Sequence, residues 1–233
     1  APCEGVTVLR PRTPVEAGGF HDTQMPAVQA LLDAYLAEHA VDDYAVWLYT
    51  PMALPLLAGL APRALVFDCM DELSAFHNSP PQLLAREATL LRVANVVFTG
   101  GPSLYHAKRA RNPNVHCMPS SVDLAHFARG RDASLEHPAL AGIAHPRLGF
   151  YGVIDERLDI GLVAALADAQ PDWQVCLVGP VVKIDPAQLP QRPNLHYVPQ
   201  LAYDELPAML AGWDVCLLPF AHNESTQFIS PTK

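Results

Sequence analysis

Two basic residues follow predicted strands in the second half of the chain, close to a glycine. Gly152 and Arg157 come after the strand "RLGFYGVI", and Lys183 comes after the strand "WQVCLVGP". An arginine guanidinium can form two parallel hydrogen bonds with phosphate oxygens, and a lysine supplies a compact positive charge. Gly152 allows the backbone to approach a ligand closely. These residues therefore predict a binding site for an anion.

The last residues of the chain suggest a second contribution to the same site. In "SPTK", Ser230 is a typical helix cap, Pro231 suits the first helical position, and Thr232 and Lys233 follow. The unpaired N–H groups of a helix start, with a lysine beside them, can hold a diphosphate. Glu224, which follows the preceding strand, is placed to accept hydrogen bonds from sugar hydroxyls.

Simpler interpretations exist for these residues. Arg157 can pair with Asp155 or Asp159 on the surface, and Lys183 and Glu224 can be solvated loop residues. No Gly-x-Gly-x-x-Gly, Walker or Gly-x-Ser-x-Gly motif occurs, so the sequence lacks the usual signs of a dinucleotide site, a P-loop or a serine hydrolase.

In the first half, acidic residues follow a strand. Asp71 and Glu72 come at the end of "ALVFDCMDE", and His77 lies in the loop "SAFHNSP". Ligands of parallel α/β sheets bind beyond the carboxyl ends of the strands, so these positions are candidates for acid–base chemistry. A lone loop histidine is also common as polar surface, and this alternative stays open for His77.

The elements that position these residues form a repeating pattern. Short apolar strands alternate with helical segments, which predicts α/β units with parallel sheets covered by helices on both faces. The first 20 residues indicate an edge strand and a loop. We predict an N-terminal domain over residues 1–127 that lacks its first strand, a linker over 128–146, and a C-terminal domain over 147–233. Because the pattern stops within "SPTK", we expect the chain to be a fragment with both domains incomplete.

Composition excludes several classes of protein. The net charge of −9 argues against a nucleic-acid binder, and no apolar run is long enough for a membrane span. The five cysteines show no Cys-x-x-Cys spacing, which indicates free thiols, a reducing compartment and a cytoplasmic location.

Several spaced motifs resemble one family of enzymes. "GFYGVIDERLDIGLVAALADAQPDWQVCLVGPVVKID", "LPAMLAGWDVCLLPF" and "NESTQFISPTK" are similar to the C-terminal domain of bacterial GT-B glycosyltransferases, most closely the retaining family 4 type. "FDCMDELSAF" and "EATLLRVANVVFTGGPSLYHAKR" resemble the acceptor domain of the same enzymes. The resemblance implies two Rossmann-like domains and transfer of a sugar from a nucleotide diphosphate sugar, such as a UDP-sugar, to a saccharide or lipid-linked acceptor.

The resemblance also assigns roles to single residues. It implies that Gly152, Arg157, Lys183, Ser230, Thr232 and Lys233 bind the donor, that Glu224 faces the sugar or the ribose, and that Asp71, Glu72 and His77 lie on the acceptor side. It implies no cofactor and no metal, and at most peripheral membrane contact. The second basic residue expected about five positions after Arg157 is absent. Two alternatives therefore remain: a non-catalytic nucleotide-sugar-binding or scaffolding domain, and a sugar-nucleotide epimerase of the same fold. The oligomeric state is not predicted.

Overall fold

The chain folds into two compact units. The computed structural model describes residues 4–76, 78–223 and 226–230. An N-terminal unit comprises residues 1–119 and a C-terminal unit comprises residues 120–233. The division thus falls eight residues earlier than the predicted end of the first domain at residue 127.

The N-terminal unit is built on four parallel strands. They are β1 (Ala45–Leu48), β2 (Ala64–Cys69), β3 (Val96–Thr99) and β4 (Val115–Cys117), and they lie in the order β1-β2-β3-β4. Its helices are α1 (Met25–Glu38), α2 (Leu83–Val93) and α3 (Pro102–Lys108), with a 3-10 helix at Pro51–Gly59 between β1 and β2. Pro55 lies inside this 3-10 helix. The edge strand predicted near the start of the chain is wrong, since residues 4–21 contain no strand.

Only one face of this sheet is well buried by the described residues. Each connection steps to the next strand in the same direction, and right-handed crossovers then place the connecting helices on one face. Leu65, Phe67 and Cys69 point to that face and are buried. Trp47 points to the other face and is 50% exposed. The prediction of helices on both faces is therefore wrong for the described part of this unit.

The C-terminal unit has a sheet that is covered on both faces. Its parallel strands are β5 (Arg147–Tyr151), β6 (Gln174–Val178), β7 (Leu195–Val198) and β8 (Val215–Cys216), in the order β7-β6-β5-β8. The helices are α4 (Leu124–Ala128), α5 (Ile160–Ala169) and α6 (Leu206–Ala211). Phe150, Val175 and Leu177 pack with Val163 of α5 on one face. Cys176 and Val178 pack with Met209 of α6 on the other.

The segment predicted as a linker is packed into this unit. Residues 128–146 contain 3-10 helices at Arg129–Arg131, Ala133–Leu135 and Pro138–Leu140. Leu140 is fully buried with Met209. The Arg147 Nε donates to the Ile143 carbonyl at 2.8 Å, and its guanidinium lies 3.0 Å from Glu136. Small and polar composition suggested a linker, but the segment packs through Leu140 and Ile143, and Arg147 of β5 holds it through Ile143 and Glu136.

Two parallel sheets with connecting helices confirm the predicted α/β class. In the part of the chain that the structure describes, no helix combines the length and apolar character needed to cross a membrane.

Candidate functional site

The strand order of the C-terminal unit points to one edge of its sheet. From β5 the chain winds outward through β6 to β7, and it then returns across the sheet to β8 on the other side of β5. The connections on the two sides of β5 therefore lie on opposite faces. A crevice forms beyond the carboxyl ends of strands at such a switch point, and α/β proteins bind ligands there. The ends of β5 and β8 are accordingly where a ligand is expected.

Two glycines allow the backbones at the ends of β5 and β6 to touch. Gly152 has φ +148° and Gly179 has φ +143°, values that side chains disfavour. The Gly152 amide donates to the Val178 carbonyl at 2.9 Å. A Cβ on Gly179 would lie only 1.9 Å from the Gly152 oxygen. Gly152 was predicted to let the backbone approach a ligand; in the structure, the backbone that it closely approaches is that of Gly179.

The loops that follow these glycines run side by side. The Ile154 amide donates to the Pro180 carbonyl at 2.9 Å, and the Val182 amide donates back to the Ile154 carbonyl at 3.1 Å. Because of this pairing, the loop that carries Arg157 and the loop that carries Lys183 belong to one layer beyond the sheet. The structure therefore brings three predicted donor-site residues, Gly152, Arg157 and Lys183, to the same edge.

Arg157 makes a two-pronged ion pair with its neighbour Asp155. Its Nε lies 3.0 and 3.1 Å from the two Asp155 oxygens, and Nη2 lies 2.7 Å from Oδ2. The Asp155 residue is only 2% exposed, whereas the Arg157 side chain is 30% exposed. The pair predicted as the simpler interpretation is present. The ion pair with Asp155 fixes the orientation of the guanidinium plane, and the Arg157 side chain stays partly exposed.

Lys183 holds an unusual backbone conformation at the same edge. Its φ is +63°, which is uncommon for a residue other than glycine. Its side chain is 56% exposed, and Nζ lies 3.9 Å from a Glu156 oxygen. At this distance and exposure the pair contributes little to stability.

A cavity opens at the end of β8. It has a volume of about 590 Å³ and is lined by Phe220, Ala221, His222, Asn223, Thr226 and Gln227. The Ala221 amide donates to the Arg157 carbonyl at 2.8 Å, and the Asp159 amide donates to the Pro219 carbonyl at 2.8 Å. The cavity wall is thereby attached to the Arg157 loop. Its volume is within the range of small-molecule sites, roughly 300–1,000 Å³.

The acidic candidates of the N-terminal unit follow β2, but Glu72 is not an accessible carboxylate. Its Oε2 lies 2.5 Å from the Lys108 Nζ, and its Oε1 accepts a hydrogen bond from the Ser74 hydroxyl at 2.7 Å. Its side chain is 11% exposed. Both oxygens of Glu72 are thus engaged by the protein, and its predicted catalytic role stays a prediction. Asp71 is half-buried beside it.

Lys108 and Glu87 are charged residues whose burial the sequence analysis did not predict. Glu87 is 1% exposed and Lys108 is 3% exposed. Burial alone would lower the pKa of Lys108, but hydrogen bonds to Glu72 and Glu87, together with their negative charges, raise it above its usual value. A sequence signal existed: Glu87 follows Leu83 by four residues, Lys108 follows Leu104 by four, and both leucines are buried.

Five predicted positions need separate mention. Ser230 lies in a described loop, half-buried. His77, Glu224, Thr232 and Lys233 lie outside the described residues, so their predicted roles stay predictions.

Comparison with known proteins supports the assignment of the fold. No family model matches the chain. It is 23% identical over 220 residues to TuaH of Bacillus subtilis (strain 168), named as a teichuronic acid biosynthesis glycosyltransferase; the match covers 87% of this chain and 55% of TuaH. The chain thus spans little more than half the length of this relative.

Solved structures give the same picture. Sucrose-phosphate synthase from Thermosynechococcus elongatus matches with a TM-score of 0.63 at 18% identity, over 86% of this chain and 56% of that one. Anabaena HepE in complex with UDP matches with a TM-score of 0.61 at 15% identity, over 82% and 56%. A Listeria monocytogenes protein named as a UDP-N-acetylglucosamine 2-epimerase matches with a TM-score of 0.51 at 13% identity, over 88% and 59%.

At these low sequence identities, the matches to solved structures show the fold of the chain. The predicted resemblance to bacterial GT-B glycosyltransferases is confirmed by the relative and the structures together. With a doubly wound C-terminal unit and a second parallel α/β unit before it, the chain has the GT-B fold, made of two Rossmann-like units.

Proposed function

We propose that the protein transfers a sugar from a UDP-sugar to a saccharide or lipid-linked acceptor in the synthesis of a bacterial surface polysaccharide. The observation that carries the proposal is the edge at the β5–β8 switch point. There the Arg157 carbonyl accepts a hydrogen bond from Ala221, which lines a cavity of about 590 Å³, and Gly152 and Lys183 lie on the two paired loops of the same edge. The similarity to TuaH, named for teichuronic acid biosynthesis, supports the class of product.

The donor follows from the charges at this edge. In a chain of net charge −9, Arg157 and Lys183 bring two cations to one layer beyond the sheet, beside Asp155 and Glu156. An anion with two phosphates suits such an arrangement, because a guanidinium and an ammonium can each bind phosphate oxygens. HepE was solved with UDP, and the epimerase is named for a UDP-sugar. Both support uridine as the base.

The reaction would break the bond between the anomeric carbon and the diphosphate and form a bond to an acceptor oxygen. We assign stabilisation of the departing diphosphate to Arg157, Lys183, Ser230, Thr232 and Lys233, without a metal ion. Glu224 would contact the donor sugar or ribose. Asp71 and His77 would face the acceptor hydroxyl, whose proton must leave as the new bond forms. Retention of configuration, a hexose as the sugar, and a cytoplasmic enzyme at most peripherally bound to the inner membrane face belong to the same proposal.

An epimerase acting on a UDP-sugar is the second candidate, and the match to the Listeria epimerase favours it. Such an enzyme needs several acid–base groups around one sugar carbon. It would convert a UDP-sugar without any acceptor, whereas a transferase requires one. A non-catalytic binding domain would bind UDP and turn over neither.

The test uses the full-length protein that carries this chain. Titration calorimetry with UDP should show binding, and Arg157→Ala should weaken it about 10- to 100-fold, the loss of charged hydrogen bonds worth about 1.5–3 kcal/mol. Arg192→Ala is the matched control: Arg192 is also in the C-terminal unit and also pairs with an aspartate, Asp168, at an exposed position. Its affinity for UDP should equal that of the wild type.

Transfer is then measured with labelled UDP-sugars and membrane or polysaccharide fractions as acceptors. Acceptor-dependent release of UDP supports the transferase. Formation of an epimer without acceptor would show that the protein is an epimerase. Binding of UDP without turnover would show that it is a non-catalytic binding domain. If no UDP binds to the full-length protein, the proposed donor site is wrong.

A further inference from the structure

A buried group of charged side chains lies beneath the loop that follows β2. Lys108, the last residue of α3, brings its Nζ within 2.5 Å of Glu72 Oε2 and within 2.9 Å of Glu87 Oε2. Arg111 adds a second cation, 3.5 Å from Glu87 Oε2 at the outer side of the group. The charges of two carboxylates and two cations therefore balance in this largely buried group.

We propose that Lys108 and Glu72 are positioning residues, which hold the loop 70–76 on the acceptor side of the site, and that Glu72 is not itself the catalytic carboxylate. The proposal rests on the proposed transferase function, since it assigns the acceptor side of that reaction. It replaces the expectation of a catalytic Glu72 by a structural Glu72.

The engagement of Glu72 is the first argument. A general base must offer a lone pair to the proton that it removes, within about 2.6–3.2 Å. The Glu72 oxygens are occupied by Lys108 and Ser74, and the side chain is 11% exposed. Glu72 is thus suited to anchoring.

The second argument is that the loop is held on both sides of Asp71. On one side, the Gly100 amide donates to the Cys69 carbonyl at 3.0 Å, and a Cβ on Gly100 would lie 2.4 Å from the Met70 oxygen. The chain after β3 therefore packs directly on Met70. On the other side, Lys108 holds Glu72. With both neighbours fixed, Asp71 has little freedom to change direction.

The third argument concerns the cost of losing one partner. Buried charges persist in proteins only when they are paired, and removal of one partner leaves the other without compensation. Without Lys108, the carboxylates of Glu72 and Glu87 would face each other. Their repulsion is relieved most easily if Glu72 moves into solvent, because Glu87 is fixed within α2. The loop 70–76 would move with it.

Hydrogen exchange and kinetics of the full-length protein test this proposal together. In Glu72→Gln the amide keeps hydrogen bonds with Lys108 and Ser74, so we expect kcat within about threefold of wild type, whereas loss of a general base costs about 10²–10⁴-fold. In Lys108→Met we expect amide exchange in residues 70–76 to quicken at least about tenfold as the loop opens. The acceptor kcat/KM should fall while the affinity for UDP is unchanged.

Asp43→Asn and Arg63→Met are matched controls, because they break an ion pair of the same unit whose side chains are 68% and 74% exposed. Both should leave exchange in 70–76 unchanged. If Lys108→Met does not fold, Glu72→Gln and Glu72→Ala decide: the amide should preserve loop protection and the alanine should not.

The outcomes separate the two proposals. A loss of more than 100-fold in kcat for Glu72→Gln, with exchange unchanged, would make Glu72 catalytic and overturn the inference. Unchanged exchange in Lys108→Met, or in Glu72→Ala when it substitutes for it, overturns it as well, whatever the kinetics. Absence of transfer by the wild type would instead refute the proposed function, and exchange would still decide whether Lys108 holds the loop.

Discussion

Replacing Gly179 by alanine tests whether the close approach of two backbones builds the donor site. The new Cβ would lie 1.9 Å from the Gly152 oxygen, and real Cβ atoms do not come within 3.0 Å of another atom. The two loops would therefore have to separate by at least 1.1 Å, the difference between these distances. The neighbour is backbone, so it cannot rotate out of the way.

Two effects add to the expected loss of stability. A residue with a side chain held at a φ of +143° costs about 1–3 kcal/mol. Forcing extra volume into a packed place costs about another 1–3 kcal/mol. We therefore expect Gly179→Ala to lower the free energy of unfolding by about 2–6 kcal/mol.

Gly142→Ala is the matched control. Gly142 lies in the same unit and also has a positive φ, +84°, but a Cβ there would meet no atom within 4 Å. It should show only the backbone cost, about 1–2 kcal/mol.

Urea unfolding followed by tryptophan fluorescence measures both variants, and calorimetry with UDP measures the site. Gly179→Ala should also weaken UDP binding, because the loop that carries Arg157 must shift, whereas Gly142→Ala should not. Equal losses of stability in the two variants would refute the steric argument. Normal UDP affinity in a folded Gly179→Ala protein would refute the link between this contact and the donor site.

Three further predictions concern single groups. The Arg147 amide and His145 donate to Asp214 and lower its pKa, so its stabilising effect exists above about pH 4 and disappears as pH falls through the lowered value. Urea unfolding should show Asp214→Asn less stable than wild type at pH 7 but by a smaller margin at pH 3; an equal margin would contradict this. Burial raises the pKa of Cys69 to about 12 and that of Cys176 to about 11. Mass spectrometry after iodoacetamide treatment should therefore find the exposed Cys216 labelled well before either of them. Equal labelling rates would contradict the burial of Cys69 and Cys176. Asn194 Nδ2 donates to the carbonyls of Ala167, Gln170 and Trp173 at 2.9–3.2 Å, so Asn194→Ala should lower the free energy of unfolding in urea by about 1–3 kcal/mol. Gln191→Ala, which loses a single 3.5 Å contact, is the control. An equal loss in the two variants would show that the Asn194 hydrogen bonds do not stabilise the fold.

Much of the fold could be predicted from local patterns. Strands β2 and β6 are runs of apolar residues, and alternation with helices is enough to indicate parallel sheets. The number of covered faces could not be predicted, since it depends on strand order. In the N-terminal unit the strands follow one another in a single direction, whereas in the C-terminal unit the chain reverses after β7.

The candidate site was predictable in part for a similar reason. Gly152, Arg157 and Lys183 could be placed after strands, and the structure brings them to one edge. The engagement of Glu72 by Lys108 could not be predicted, because the partner lies 36 residues further along and meets it only through packing of α3. Positions after strands identify candidates, but the partners that occupy them come from tertiary contacts.

The strand order of the C-terminal unit also has a kinetic consequence. β8 joins the sheet through two residue pairs with β5, Leu148 with Val215 and Gly149 with Cys216, across 67 residues of chain. Strands paired over long loops form late in folding, and short edge strands open early. We therefore expect β8 to complete the edge at which we place the donor late in folding. A nucleotide bound there would slow the opening of β8, so exchange at the Leu217 amide, 2.7 Å from the Gly149 carbonyl, should report donor occupancy directly.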